Sequence, residues 1–335
     1  MSITRANILK NATALADYCD GVKKLKNEFT GPTTKDLGIS GAVENVSTYD
    51  LFVVWHVNGM MTMTPAQNNP EGRNFAHRGP VFPAWHRFML RQLELNLQRV
   101  LEKSNFALPY WDWAMDGEGS PDDQLKSALW TKDGIGGSGD PITSGPFVFD
   151  PSDGSSFCVR IDTDSNGNLQ QSRRGLARDL GHDIDTLPNK TDTADALKLA
   201  LYDGPPWTVS SSGFRNRVEG WVGTTGPGLH NRVHVWVGGD MSPASSPNDP
   251  VFFLNHCNVD RIWESWMQKH GRIYAPAANA PNSLKGHRVN DQLASLVSPP
   301  TTRAESKTSK ILQTLPIQST SSVRSNTKSS HFESL

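Results

Sequence analysis

The chain has 335 residues, of which 36% are hydrophobic and 20% are charged, and its formal net charge is −1. This composition is typical of a globular protein and gives no electrostatic reason to expect nucleic acid or an anionic membrane as a partner. The three cysteines, Cys19, Cys158 and Cys257, are too few and too dispersed for a disulfide framework or a thiolate metal site.

Helical periodicity dominates the first third of the chain. An apolar stripe predicts a helix over residues 1–30, and residues 31–48 have the composition of a loop. The segment "YDLFVVWHVNGMM" predicts a second helix with His56 on its apolar face. After a loop rich in Gly and Pro, residues 86–103 show the clearest helical pattern in the chain, and His86 lies on its apolar stripe.

Loops and three further helices are predicted in the rest of the chain. Residues 116–180 are rich in Gly, Asp and Ser, with short β-like pieces such as "FCVRID". The segment "TDTADALKLALYD" predicts a helix capped by Thr191 or Asp192, and "LHNRVHVWV" predicts another. The last predicted helix follows "SPNDP", with Asn248 or Asp249 as its N-cap.

The composition changes near the C-terminus. Residues 301–335 contain 15 Ser or Thr residues and a single aromatic residue. Such a segment cannot bury enough apolar surface to offset the entropy lost on ordering. We therefore predict one globular domain over residues 1–290 and a disordered tail over residues 291–335.

The N-terminal sequence lacks the features of a secretion signal, since it has no basic head, no apolar run and no small-residue cleavage site. Elsewhere no stretch is apolar over the length that crosses a bilayer. We expect a cytoplasmic protein with no membrane partner, unless a partner protein exports it.

Histidines recur on the apolar stripes of four predicted helices. One such histidine is usually a core residue with a satisfied hydrogen bond, but burying many imidazoles costs desolvation each time. A metal ion offsets that cost by taking the ring nitrogens as ligands. His230 and His234 are four residues apart, so one helix face offers both to one ion. The candidates divide into two triads, one in each half of the chain: His56, His77 and His86, then His230, His234 and His256.

The ligand type restricts the metal. Imidazole suits Zn, Cu, Fe and Ni, and the absence of thiolates argues against iron–sulfur clusters and structural zinc. The absence of carboxylates among the candidate ligands disfavours facial-triad iron and carboxylate di-iron bundles. Two neighbouring three-histidine ions in a helical bundle suggest a dicopper site that binds O2, and the spacing alone leaves zinc open.

Four segments resemble the tyrosinase family of type 3 copper proteins, and most of all its short bacterial members. They are "FPAWHRFMLRQLE", "LPYWDWAMD", "GFRNRVEGW" and "LHNRVHVWVGGDMSPASSPNDPVFFLNHCNVDRIWESW". The resemblance covers roughly residues 40–270. It implies a mainly α fold in which a four-helix bundle holds a dinuclear copper site, with long loops and a few short strands. The first triad is then expected at one copper and the second triad at the other.

The resemblance also implies a reaction. It implies a tyrosinase that uses O2 to hydroxylate monophenols at the ortho position and to oxidise o-diphenols to o-quinones, as in melanin biosynthesis. The expected cofactors are two copper ions, and the expected co-substrate is O2. Small phenols are the expected substrates, and a copper-delivery protein is an expected partner. The alternatives are a catechol oxidase or o-aminophenol oxidase without hydroxylation, an O2 carrier related to hemocyanins, and a zinc or structural histidine site without redox function.

A proton-accepting pair is implied beside the second triad. Glu219 and Asn231 are expected to hold a water that helps to deprotonate the incoming phenol, whose pKa near 10 opposes binding to Cu(II). The alternative for Glu219 is a surface carboxylate paired with Arg215 or Arg217.

Three more positions complete the expected site. Phe252 and Ala244 are expected to line the substrate pocket, and the alternative for Phe252, favoured by the run "VFFL", is core packing. Asp260 lies four residues after His256, so we expect it to orient that imidazole. The alternatives are that it pairs with a group near Arg261 or caps backbone amides.

Overall fold

Helices make up most of the regular structure in the computed structural model, which describes residues 4–66, 69, 72–221, 226–293, 309–310 and 331–332. The helices are Ala12–Lys26 (α1), Thr48–Met61 (α2), Phe82–Val100 (α3), Trp113–Asp116 (α4), Pro121–Leu125 (α5), Lys190–Lys198 (α6), Phe214–Glu219 (α7), Leu229–Val237 (α8) and Val251–His270 (α9). The strands are Thr4–Arg5 (β1), Val159–Thr163 (β2), Leu169–Arg174 (β3), Gln292–Leu293 (β4), Ser309–Lys310 (β5) and His331–Phe332 (β6). The predicted mainly α fold with a few short strands is confirmed.

The helices that carry histidines form the centre of the molecule. Helix α9 packs along α3 and against α8, and α1 covers α2 and α3 from outside. The short helix α7 contacts both α8 and α3. Four of these helices, α2, α3, α8 and α9, therefore place their inner faces around one space.

Local sequence explains where the central helices begin. Ser47 accepts a hydrogen bond from the backbone N–H of Asp50 and so caps α2. Pro83 lies in the first turn of α3, where its missing N–H costs no helical hydrogen bond. At α9 the N-cap position is Pro250, so the predicted N-cap of Asn248 or Asp249 is wrong, although the carboxylate of Asp249 accepts from the N–H of Val251 at 2.9 Å.

Some predicted boundaries are wrong. Helix α6 is capped by Asn189 rather than by Thr191 or Asp192, because Asp192 is the third residue of a capping box with Asn189. The helix predicted over residues 1–30 occupies only Ala12–Lys26. Helix α3 starts at Phe82, so His86 lies one turn inside the helix.

Tryptophans surround the histidine-bearing helices. Six of them have fully buried side chains: Trp85, Trp111, Trp113, Trp236, Trp263 and Trp266. The ring of Trp85 lies 4.8 Å from that of His86, measured between centroids, and 5.5 Å from that of Trp55. These rigid aromatic side chains make a dry wall beside the first triad.

The strands lie outside the bundle. β2 and β3 pair antiparallel as a hairpin within the predicted loop region, and β2 packs against α2. β4 pairs antiparallel with β5, and β1 pairs parallel with β6. Of the predicted disordered tail over residues 291–335, the structure describes Asp291 and the strands β4, β5 and β6, and the rest lies outside the described residues.

The part of the chain that the structure describes contains no helix long and apolar enough to cross a membrane.

Candidate metal centre

The first triad comes from two helices and the loop between them. His56 lies on α2, His86 on α3, and His77 in the connecting loop, where the side chain of Asn74 accepts its backbone N–H at 2.7 Å. One ring nitrogen from each histidine lies within 4.8 Å of the other two. All three side chains are buried.

The second triad comes from α8 and α9. His230 and His234 lie one turn apart on α8, with ring centroids 4.4 Å apart. His256 on α9 points its Nε2 at the Nε2 of His230, at 3.1 Å. One ring nitrogen from each of the three again lies within 4.8 Å of the others. The structure thus brings together all six histidines that the sequence analysis selected.

The two triads adjoin each other. The rings of His86 and His256 stack with centroids 4.0 Å apart and an interplanar angle of 10°. Phe252 lies between the triads, 4.9 Å from the ring of His56 and 4.2 Å from that of His256. Two ions bound by the triads would therefore be neighbours with a shared aromatic wall.

Oxygen acceptors orient four of the six rings through Nδ1. The bonds run from His56 to the Ala244 carbonyl (2.7 Å), from His86 to the Phe82 carbonyl (2.8 Å), from His234 to the Met241 carbonyl (2.6 Å), and from His230 to the Asn231 side chain (3.0 Å). A proton held on Nδ1 leaves the lone pair on Nε2, which is the arrangement of a metal-binding imidazole. The loop after α8 supplies one such acceptor to each triad, through Ala244 and Met241.

The rings are held neutral. Burial lowers the pKa of His56 to about 3 and that of His234 to about 4. Burial also lowers the pKa of the other four well below the usual value, and the neighbouring rings lower it further. At neutral pH every ring therefore offers a lone pair instead of a charge.

The ring nitrogens fit a pair of metal ions. Among the described residues, the buried Nε2 atoms of His56, His86 and His234 have no hydrogen-bond partner. Buried polar atoms are normally paired, so three orphans facing one space call for a ligand. Bonds of about 2 Å place the ligand nitrogens of one ion at most about 4 Å apart, and the ring nitrogens of each triad lie within 4.8 Å of one another.

Acid is expected to unfold the metal-free protein. The unfolded chain binds more protons than the folded chain below pH 6.5, because its histidines keep their ordinary pKa. The contribution of the neutral rings to the free energy of unfolding is complete above pH 6.5. It decreases as the pH is lowered towards the folded-state pKa values, which are about 3 for His56 and about 4 for His234. The folding equilibrium should drop about tenfold per pH unit for each buried ring. Urea midpoints of metal-free protein at pH 7.5, 6 and 5 test this, and a constant midpoint would contradict it.

Glu219 lies at the end of α7 with both carboxylate oxygens in contact with the protein. Oε1 accepts from the backbone N–H of Arg78 at 2.6 Å, and Oε2 accepts from Arg215 at 2.9 Å. Burial raises the pKa of Glu219, and the positive charge of Arg215 opposes that rise. The expected pairing with Arg215 is present, but the pair is wholly buried and does not lie on the surface.

Glu219 and Asn231 both reach His230. Its Nδ1 lies 3.0 Å from the Asn231 side-chain oxygen and 3.2 Å from the Glu219 backbone carbonyl. The chain between α7 and α8 returns through a hydrogen bond from Gly228 N–H to the Gly220 carbonyl at 3.0 Å. Gly220 has φ 100°, and a Cβ there would lie 2.1 Å from the Gly228 oxygen, so only glycine fits.

The expectation that Asp260 orients a ligand ring is wrong. Its carboxylate is ion-paired with Arg5, at 2.9 Å, and with Arg87. Among the described residues, Nδ1 of His256 has no hydrogen-bond partner. Asp260 joins α9 to α3 and to the N-terminal strand β1, and the sequence analysis had identified neither arginine as its partner.

A family model, the common central domain of tyrosinase, matches residues 46–269, more than half of the chain. The chain belongs to the tyrosinase family. All six predicted ligands lie within the matched range. The family predicted from the sequence motifs is therefore confirmed, and with it a copper-dependent oxidoreductase.

Bacterial relatives cover most of this tyrosinase-family chain. It is 39% identical over 250 residues to a tyrosinase of Streptomyces glaucescens. The aligned residues cover 73% of this chain and 81% of the relative. It is 37% identical over 245 residues to grixazone synthase of Streptomyces griseus, over 66% of this chain and 76% of the relative.

Solved structures share the fold. A mutant polyphenol oxidase of Thermothelomyces thermophila superposes with a TM-score of 0.64 at 20% identity, over 94% of this chain and 86% of that one. A tyrosinase of Burkholderia thailandensis gives a TM-score of 0.51 at 15% identity, over 93% and 71%. At such identities the likeness concerns the fold of the family.

Proposed function

We propose that this member of the tyrosinase family uses O2 to hydroxylate monophenols at the ortho position and to oxidise the resulting o-diphenols to o-quinones. The observation that carries the proposal is the pair of adjoining triads of neutral imidazoles, five of them buried and His234 half-buried. Six nitrogen ligands without thiolate or carboxylate suit copper.

The ligand residues divide between two ions. We propose that one copper is held by His56, His77 and His86 and the other by His230, His234 and His256. When bound, the copper pair supplies the reversible binding and activation of O2. The protein orients the imidazoles through backbone and side-chain oxygens, keeps them unprotonated, and surrounds them with apolar rings.

Glu219 and Asn231 support hydroxylation. We propose that they hold a water between them that takes the proton of the incoming phenol. A buried carboxylate with a raised pKa is a stronger base than an exposed one, which suits proton transfer from a phenol. A carboxylate has about four acceptor positions, so the hydrogen bonds from Arg78, Arg215 and Trp221 leave one position for a water.

Phe252 and Ala244 are the proposed pocket residues. The buried Phe252 ring lies against His56 and His256, where it forms the apolar wall of the space beside the metal pair. Ala244 is in direct contact with the centre through its carbonyl and adds only a methyl group to the pocket, so it leaves room for a phenol ring.

Copper content and paired activities test the proposal. Purified protein should bind two copper ions per chain and convert both a monophenol and its matching catechol, with O2 consumed in each reaction. A chain that oxidises only the catechol is a catechol oxidase. A chain that binds copper and O2 but turns over neither substrate is an O2 carrier, and zinc as the bound metal would overturn the proposal.

Replacing Glu219 with Gln is expected to slow monophenol turnover about 10- to 1000-fold while catechol turnover falls much less, because only the monophenol needs strong proton removal. Glutamine keeps the shape and can accept from Arg78, although it loses the charge that faces Arg215. Steady-state kcat for both substrates, with copper content as the control, gives the answer. Equal losses on both substrates would contradict the role.

A further inference from the structure

The segment that follows α9 returns to the loop that presents His77. Its central residue in that contact is His287, whose side chain is completely buried. The Nε2 of His287 lies 2.7 Å from the hydroxyl of Thr64, near the start of the loop. His287 belongs to neither triad, and the proposed reaction gives it no part.

Backbone contacts join residues 63–64 to residues 73–74 in the loop that carries His77, and we call this junction the neck of the loop. The N–H of Thr64 donates to the Arg73 carbonyl at 2.9 Å, and Met63 bridges to Asn74. The Asn74 side chain then accepts the backbone N–H of His77. The position of His77 therefore depends on where this neck is held.

His287 touches both ends of the loop. Besides its bond to Thr64, its ring lies against Gly79, two residues after His77, where an added Cβ would lie 2.7 Å from the ring. The preceding Gly286 is also close to Thr64, because a Cβ added to Gly286 would lie 3.0 Å from the Thr64 side chain. The ring thus fills the space between the entry and the exit of the loop.

Independent bonds fix His287 in its place. Its backbone carbonyl accepts from the Tyr274 hydroxyl at 2.8 Å, and the N–H of Gly286 donates to Asp291 at 2.7 Å. From the other side, Arg73 donates to the Ser283 carbonyl at 2.9 Å. Burial lowers the pKa of His287 to about 3, so the ring is neutral beside the Arg73 cation.

We propose that His287 is a positioning residue for the metal centre, which clamps the two ends of the loop between α2 and α3 and so sets the position of His77. The clamp itself is a property of the metal-free chain. Its consequence for copper rests on the proposed function.

Hydrogen exchange on metal-free, full-length protein tests the clamp directly. His287→Ala should speed exchange about tenfold at the amides of residues 74–77, since the neck opens more often. Thr64→Val, which removes only the hydroxyl, and Gly79→Ala, which displaces the ring, should act in the same direction. His182→Ala is the matched control, because His182 is 70% exposed. Unchanged exchange at these amides in a folded His287→Ala or Thr64→Val protein would overturn the proposal.

Stepwise removal of copper by a chelator tests the consequence. In the Thr64→Val protein one of the two ions should leave about tenfold faster while the other keeps its wild-type rate, because only the first triad uses the loop. A purely structural defect would instead lower the thermal midpoint and release both ions together, and that result would overturn the proposal. If the protein binds no copper at all, the proposed function fails, and the exchange experiment still decides whether the clamp exists.

Discussion

His86→Ala is expected to leave one copper per chain and to abolish oxidation of both monophenols and catechols. The Nε2 of His86 is one of three nitrogens of the first triad, and its Nδ1 is fixed by the Phe82 carbonyl. Alanine leaves two ligands, which hold an ion far more weakly, and both ions are needed for O2 chemistry. Copper analysis and O2 consumption with a phenol and a catechol measure the result.

The fold should survive this change. His86 is a neutral ring in an apolar setting, stacked on His256, so its loss costs contacts without leaving a buried charge. His234→Ala is the matched variant for the second triad and should lose the other copper with the same loss of activity. His182→Ala, an exposed histidine, should behave as wild type. Normal turnover in either ligand variant would show that the ligand assignment is wrong.

The histidine-bearing helices could be predicted from the sequence because their periodicity is strong and their histidines lie on the apolar stripe. His56 and His86 share their helix faces with core residues, so locating the core also located the rings. His230 and His234 show one-face spacing without any knowledge of the fold. The family motifs then indicated that the two triads belong to one site, which helical periodicity alone does not indicate.

The interactions around the ligands could not be predicted in the same way. The acceptors of His56 and His234 are backbone carbonyls, and every residue has one, so only the folded loop after α8 selects Ala244 and Met241. Asp260 was assigned from its i+4 spacing to His256, a local signal. Its actual partners, Arg5 and Arg87, are 255 and 173 positions away in the chain, beyond any local pattern.

His287 shows the same limit. It lies in a Gly-, Asn- and Pro-containing segment without helical periodicity, so the sequence gives no sign that its ring is buried. Glu219 is the intermediate case. The neighbouring arginines of its segment indicated a pair with Arg215 or Arg217, whereas its burial and its bond to the Arg78 backbone, 141 positions away, depend on how α7 packs.

Asp249→Ala is expected to lower the free energy of unfolding by about 3–5 kcal/mol, the usual effect of breaking a buried ion pair by removing one partner. Both Asp249 oxygens accept from Arg178, at 2.6 and 2.7 Å, and both side chains are fully buried. Alanine would leave the Arg178 cation buried without its carboxylate. It would also remove the acceptor for the Val251 N–H at the start of α9, the helix that carries His256.

Urea unfolding of metal-free protein at pH 7.5 measures this loss without a contribution from copper binding. The matched control is Asp20→Ala, which breaks an ion pair with Lys24 whose side chains are 53% and 49% exposed. Such surface pairs contribute only about 0–1 kcal/mol, because water and salt screen the charges. Equal unfolding midpoints in the two variants would mean that other groups stabilise the Arg178 cation when Asp249 is absent. The buried ion pair would then not be the interaction that stabilises the start of α9.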